Sequence, residues 1–149
     1  MERMERNDPV RAFLNSVRES RMDAKRLQSK LSQLEARATS ITSQLSGMPR
    51  GGGADRDAVL ASLADVCEEY YYQLAEAEKQ ELRVLAFIES LSETNYRMIL
   101  KLRYIECKRW PRVLADLKSA GLDIEERRMF VLHGEALKEA REKFKEWNL

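Results

Sequence analysis

Histidine, cysteine and proline are scarce in this chain, whose 149 residues include one His, two Cys and three Pro. The single histidine, His133, has no second His to share a metal or a nucleophile with, and no glycine-rich phosphate loop is present. No His, Cys or carboxylate cluster falls at ligand spacing, so the constellations for nucleophilic, metal or acid–base catalysis are missing. The expectation is a protein that is not an enzyme and uses neither cofactor nor metal. Cys67 and Cys107 stand far apart without a C-x-x-C partner, which reads as two reduced, structural thiols.

Long apolar runs are lacking too. No stretch approaches the roughly 18 consecutive apolar residues of a membrane span. The opening Met1-Glu2-Arg3-Met4-Glu5-Arg6 is charged where a secretory leader would be apolar. The sequence thus predicts a soluble, cytoplasmic protein with no membrane partner.

What is present favours helix. Charged residues make up 34% of the chain, and Ala, Leu, Glu, Lys and Arg dominate the remainder, a composition of long helices and coiled coil rather than sheet. The net charge of +1 hides an asymmetry. Residues 1–54 carry 10 basic and 6 acidic groups, residues 55–92 carry 3 and 9, and residues 93–149 carry 13 and 10. Charge alone therefore supports nucleic-acid binding only weakly.

Asp8-Pro9 predicts a helix start, with Asp as N-cap and Pro at the first helical position, where no N–H donor is needed. A seven-residue repeat follows. One series reads Val10, Val17, Ala24, Leu31, Ala38, Leu45, and its companion Phe13, Ser20, Leu27, Leu34, Ile41, Met48. Four glycines and a proline between Gly47 and Gly53 break it. After this loop, set at 47–54, Asp55 or Asp57 can cap a second helix. Its expected seam is Leu60, Cys67, Leu74, Glu81, Ile88 with Leu63, Tyr70, Ala77, Val84, Leu91. Equal lengths of about 36 residues, or ~54 Å each, predict an antiparallel helical hairpin over residues 1–91. A basic first helix would face an acidic second one. Of Tyr70-Tyr71-Tyr72, Tyr70 reads as core, and Tyr71 and Tyr72 as partner-facing.

Residues 92–149 form the second expected domain. Ser92 can cap a third helix over the Tyr96–Ile105 region. Pro111 opens a short helix with Val113, Leu114, Ala115 and Leu117, and Gly121 stops it. Asp123-x-x-Glu126 offers a capping box for a last helix to about Trp147. Helix, short helix, glycine turn, helix is the order of a helix-turn-helix. On the last helix, taking Met129 as inward places Leu132, Ala136, Ala140, Phe144 and Trp147 on the core side. Arg127, Val131, Gly134 and Lys138 then face outward, with Arg128 and Glu135 beside them. His133 reads as a packed, hydrogen-bonded histidine, and Trp110 as core or core edge.

Three stretches resemble one family. Arg97-Met98-Ile99-Leu100-Lys101-Leu102-Arg103-Tyr104-Ile105 is similar to the "R-x-[IL]-L-x-L-R-Y-[IL]" helix of sigma-70 region 4-like proteins. Trp110-x-x-Val113-Leu114-Ala115-x-Leu117 resembles their "W-x-x-[IV]-A-x-x-L" helix with one extra residue, and Val131-Leu132-His133-Gly134-Glu135-Ala136-Leu137 their "[RS]-x-H-x-x-A-L" stretch. The variant with His-Gly-Glu-Ala-Leu is typical of phage- and prophage-encoded transcriptional regulators with a helical N-terminal extension. The turn Lys118–Asp123 is longer than in that family, and Val131 stands where a basic residue is common.

The resemblance implies an all-α, sequence-specific DNA-binding transcription regulator. Arg127 and Arg128 would sit at the end of a recognition helix that reaches base edges, with Val131 and Lys138 further along it. Lys108, Arg109 and Arg112 would hold phosphate. Double-stranded DNA is the expected ligand, and the hairpin would form a homodimer or hold RNA polymerase or a sigma factor. The alternatives from the sequence are a phage small terminase subunit, which would form a ring, and a protein-interaction module that has lost DNA binding.

Overall fold

The computed structural model describes residues 8–45 and 53–147. Of the loop expected at 47–54, residues 47–52, Met48 among them, lie outside the described residues. Every regular element among the described residues is helical. The elements are α1 (Pro9–Leu45), α2 (Gly53–Glu89), α3 (Thr94–Leu100, continuing as a π-helical segment Lys101–Ile105), α4 (Trp110–Ser119) and α5 (Glu126–Trp147). The chain is all-α, and its first two helices form the long hairpin that the heptads predict.

α1 begins as expected. The Val10 N–H donates to Asp8 Oδ1 at 3.2 Å and the Ala12 N–H to the Asp8 carbonyl at 3.0 Å, satisfying donors a helix start leaves open. α2 begins earlier than expected. With Gly53 as its first residue, Asp55 and Asp57 fall within the first turns rather than at the cap. The negative charge of Asp57 there still complements the positive end of the helix dipole.

The antiparallel sense is fixed by pairs whose numbers rise on α1 as they fall on α2. Phe13 meets Phe87 edge-on, with centroids 5.4 Å apart and planes at 89°, and Gln80 Nε2 donates to Ser16 Oγ at 2.7 Å. On α1 the expected series is buried or half-buried from Val10 to Ala38, and Leu14 joins Val10 and Val17 in full burial.

On α2 the expected seam is buried or half-buried except at Leu60, and a neighbouring series joins it. Leu63, Tyr70, Ala77, Val84 and Leu91 are buried or half-buried as predicted. Their companions are Val59, Val66 and Phe87, all buried, while Leu60 is 43% exposed. The series 59, 66, 73, 80, 87 includes Gln73 and Gln80. The expected series beside it is half-buried at Cys67, Leu74 and Glu81 and fully buried at Ile88. Gln80 is tolerated there because its amide finds the Ser16 hydroxyl, removing the penalty of an unmet buried polar group.

The chain divides into two compact units, Met1–Glu19 with Lys79–Leu149, and Ser20–Glu78. The sequence-derived boundary at 91/92 thus falls within the first unit. The reason is a shared core, in which Val10, Leu14 and Val17 of α1 and Val84, Phe87 and Ile88 of α2 cluster with Ile99, Leu100, Val113, Leu117, Met129, Ala136 and Ala140. Phe87 meets Phe13, Phe144 (5.8 Å) and Trp147 (5.3 Å). Arg141 closes the outer edge on Asp8, at 2.8 Å from Nη2 and 3.0 Å from Nε. In the second unit the buried side chains include Ala24, Val59, Val66 and Ala77. Their small volumes suit two helices packed closely on each other.

Ser92 does not cap α3. Its N–H donates to Glu139 Oε1 at 3.2 Å and its hydroxyl to the same oxygen, and Glu93 occupies the cap position without a side-chain bond. The bend before α3 is held instead by Arg97. Its Nη1 donates to the carbonyls of Leu91 (2.5 Å) and Ser92 (3.2 Å), and its Nη2 to Thr94 Oγ1 (3.0 Å). The capping box at Asp123 also fails to form, since α5 starts at Glu126 and its first bond runs from the Met129 N–H to the Glu125 carbonyl at 3.0 Å. Asp123 lies two residues too early to serve.

Gly121 ends α4 with φ +96°, and Gly134 lies inside α5; a methyl group added at either glycine meets no atom within 4 Å. Only backbone preference distinguishes them. Gly121→Ala is expected to lower stability by ~1–2 kcal/mol through the left-handed φ, while Gly134→Ala should raise it by up to about 1 kcal/mol. Chemical denaturation of both variants checks the opposite signs.

Candidate nucleic-acid interface

α3, α4 and α5 place the expected contact residues around a polar and aromatic centre. α3 widens at its end, where the Glu106 N–H reaches back to the Lys101 carbonyl at 2.9 Å, a five-residue step. The chain then turns through Cys107, which adopts φ +54°. Its thiol donates to the carbonyls of Tyr104 and Ile105 at 3.6 and 3.8 Å, in keeping with the structural role expected of it. Tyr104 and Ile105 both stay buried through this segment.

His133, the one buried polar side chain among the described residues at 5% exposure, is packed and hydrogen-bonded as predicted. Its Nε2 lies 2.9 Å from the Tyr104 hydroxyl. The imidazole stacks on the Tyr104 ring at 5.9 Å and meets Trp110 edge-on at 4.7 Å. The Arg11 guanidinium also acts on the Tyr104 oxygen through a side-chain hydrogen bond. Burial, helped by the charges of Arg11, Arg103 and Arg141, lowers the His133 pKa from 6.5 to about 4. Burial raises that of Tyr104 against the opposing pull of Arg11 and Arg103.

Two of the three basic residues before and within α4, Lys108 and Arg112, are tied to one carboxylate. Lys108 Nζ donates to Asp116 Oδ2 and also lies 3.7 Å from Glu106, and Arg112 Nε sits 3.3 Å from Asp116 Oδ1. The shared bond raises the Lys108 pKa and lowers that of Asp116. Lys108 thus acts first as a clamp across the start of α4. Arg112, with 70% of its side chain exposed, keeps guanidinium donors toward solvent, and Arg109 stands exposed at the α4 cap position.

α5 is oriented as the sequence predicts. Met129, Leu132, Ala136 and Ala140 are buried, and Arg127, Val131, Gly134 and Lys138 are exposed along the opposite side. Phe144 packs at the core edge against Phe13 and Phe87, whereas Trp147 touches Phe87 yet remains 43% exposed. Arg128 pairs with Glu135 at 3.5 Å. Arg127, Arg128 and Val131 are brought together in a shallow groove of about 460 Å³ with Asp123, Ile124 and Glu125. Its charge is mixed. Lys138 lies two helical turns beyond it.

Sequence reasoning missed Arg103 and Phe130. The Arg103 guanidinium lies 4.5 Å from the Trp110 ring centre and donates to the Lys108 carbonyl at 2.9 Å. Phe130, 42% exposed, packs edge-on against Trp110 at 5.1 Å. Neither contact follows a helical spacing, so no periodic signal marks them. The aromatic count gives the only hint.

No protein-family model, curated protein or solved structure matches this chain.

The neutral buried imidazole sets a pH dependence. His133 binds a proton at pH 6.5 when unfolded and at about 4 when folded, so the unfolded chain gains protons first as pH falls. Stability present above pH 6.5 is expected to decline on acidification, by about 3 kcal/mol in all once pH reaches 4. The His133→Gln variant should lose this contribution. The difference between the two unfolding free energies, followed from pH 7 to 4, measures it.

Proposed function

We propose that this protein is a non-enzymatic regulator of transcription that binds duplex DNA through α5, with α4 and its connection completing a helix-turn-helix of the sigma-70 region 4 type. One observation carries the reading. α5 buries one side in a well-filled core and turns Arg127, Val131, Gly134 and Lys138 outward, which is the division of labour a recognition helix needs. Arg109 and Arg112 at the start of α4 supply phosphate contacts that fix register. The three ordered sequence motifs support the same assignment and its phage or prophage character.

In this reading Arg127 and Arg128 meet base edges near the α5 N-terminus. Gly134 presents bare backbone where the helix approaches DNA, and Lys138 meets a phosphate. The helical hairpin forms a homodimer or engages RNA polymerase or a sigma factor, and the protein works in the cytoplasm without cofactor or metal.

A second reading, a protein-interaction module without DNA binding, is favoured by the exposed Phe130 and Val131 and by Asp123 and Glu125 beside the arginines. Fluorescence anisotropy on promoter fragments from the source genome separates the two. The DNA reading expects an affinity that falls steeply with salt, drops about ten-fold or more in Arg127→Ala plus Arg128→Ala, and also drops in the more stable Gly134→Ala. Affinity indifferent to the double substitution removes the assigned reading end.

A further inference from the structure

The outward ridge of α5 has a shape as well as a charge. Arg127, Val131, Gly134 and Lys138 follow one another at steps of four, three and four residues, which aligns them along one side of the helix. The ends of the ridge carry long cationic side chains, and its middle carries a short one and then none, so it is concave at the centre. Val131 is 45% exposed there, and a methyl group added at Gly134 meets no atom within 4 Å.

The neighbouring side chains are engaged elsewhere. Phe130 lies edge-on against Trp110 at 5.1 Å, Ile124 packs on the core, and Arg128 is paired with Glu135 at 3.5 Å. Val131 shares its shallow groove with Arg127, while the two carboxylates of that groove, Asp123 and Glu125, precede the helix.

We propose that Val131 is a specificity-determining residue that meets the 5-methyl group of a thymine in the major groove. The inference rests on the DNA reading of α5 and adds a base to it. Of the groups that the four bases present in that groove, the thymine methyl is the apolar one, and the others are hydrogen-bond donors and acceptors. Over any of those, Val131 would strip water and return no bond. Its side chain ends one carbon beyond Cβ, so it reaches a base edge only where the backbone comes close. Gly134, one turn on, puts no Cβ in the way. Arg127 and Val131 are ~6 Å apart along the helix axis, against ~3.4 Å per base step, which places the thymine within about two base pairs of the base that Arg127 meets.

Fluorescence anisotropy on a bound promoter fragment, with its thymines replaced one at a time by uracil, tests the contact. Uracil keeps the pairing edge and lacks only the methyl group. We expect at least one position at which the replacement weakens binding about four-fold, the loss that burial of a single methyl group predicts. Val131→Ala should bind the thymine duplex about four-fold more weakly than the native protein and show no further loss with uracil at that position. A change in DNA shape alone would not produce this coupling.

Alanine favours helix at an exposed site, and thermal melting accompanies the variant. Duplex binding without a uracil-sensitive position, or with a sensitivity that persists in Val131→Ala, overturns the thymine contact and leaves the DNA reading standing. Absence of duplex binding overturns both and turns this face toward a protein partner.

Discussion

Burial of Phe87 is the constraint on which the first unit depends. This one ring, with no exposed surface, touches Phe13 of α1 and Phe144 and Trp147 of α5. A side chain of that size contributes roughly 1.5–3 kcal/mol by leaving water, and edge-on aromatic pairs add to it. More telling than the sum is the connectivity. The last helix cannot find its core without the end of the hairpin, and the start of α1 is pinned at both Phe13 and Asp8. The C-terminal helices are therefore built on the hairpin's base, as one core rather than two domains joined by a linker.

Much of this is legible in residue order. Period-seven patterning locates both long helices and the α1 seam, and a single assumption, that Met129 points inward, sorts the two sides of α5 up to Phe144, with Trp147 alone left exposed. Those successes share a cause, since each depends on apolar residues repeating at the helical period. The failures lie where polar groups replace the repeat. Gln73 and Gln80 occupy seam positions of α2, Ser92 gives its hydroxyl to Glu139 instead of its own helix, and Asp123 stands two residues ahead of the turn that its spacing to Glu126 predicts it to cap. Hydrogen-bond partners distant in sequence decide such positions, and no local rule supplies them.

The expected contact residues show the same limit. Counting charge along the chain treats Lys108, Arg109 and Arg112 alike, yet Lys108 and Arg112 converge on Asp116 while Arg109 does not. A groove beside Trp110, lined by Arg11, Asn15, Arg103 and Tyr104, is invisible in the sequence for a further reason. It unites residues near position 11 with others near position 103, and their proximity exists only because Phe87 and its neighbours draw the start of α1 onto the end of α3. Trp110 there packs against the core and also carries the Arg103 guanidinium on its ring.

The widened turn at the end of α3 has one further consequence. A π-helical step fits one residue more than an α-helical turn does, so everything after it is rotated relative to an uninterrupted helix. Tyr104 lies inside this segment and reaches His133 from it. Removing one residue ahead of Tyr104 would swing the phenol about 100° away, leaving the imidazole buried without its partner. The register of the segment thus works as a one-residue shim that aligns the hairpin side of the molecule with α5, and its length is as much a part of the centre's chemistry as the identity of the two side chains.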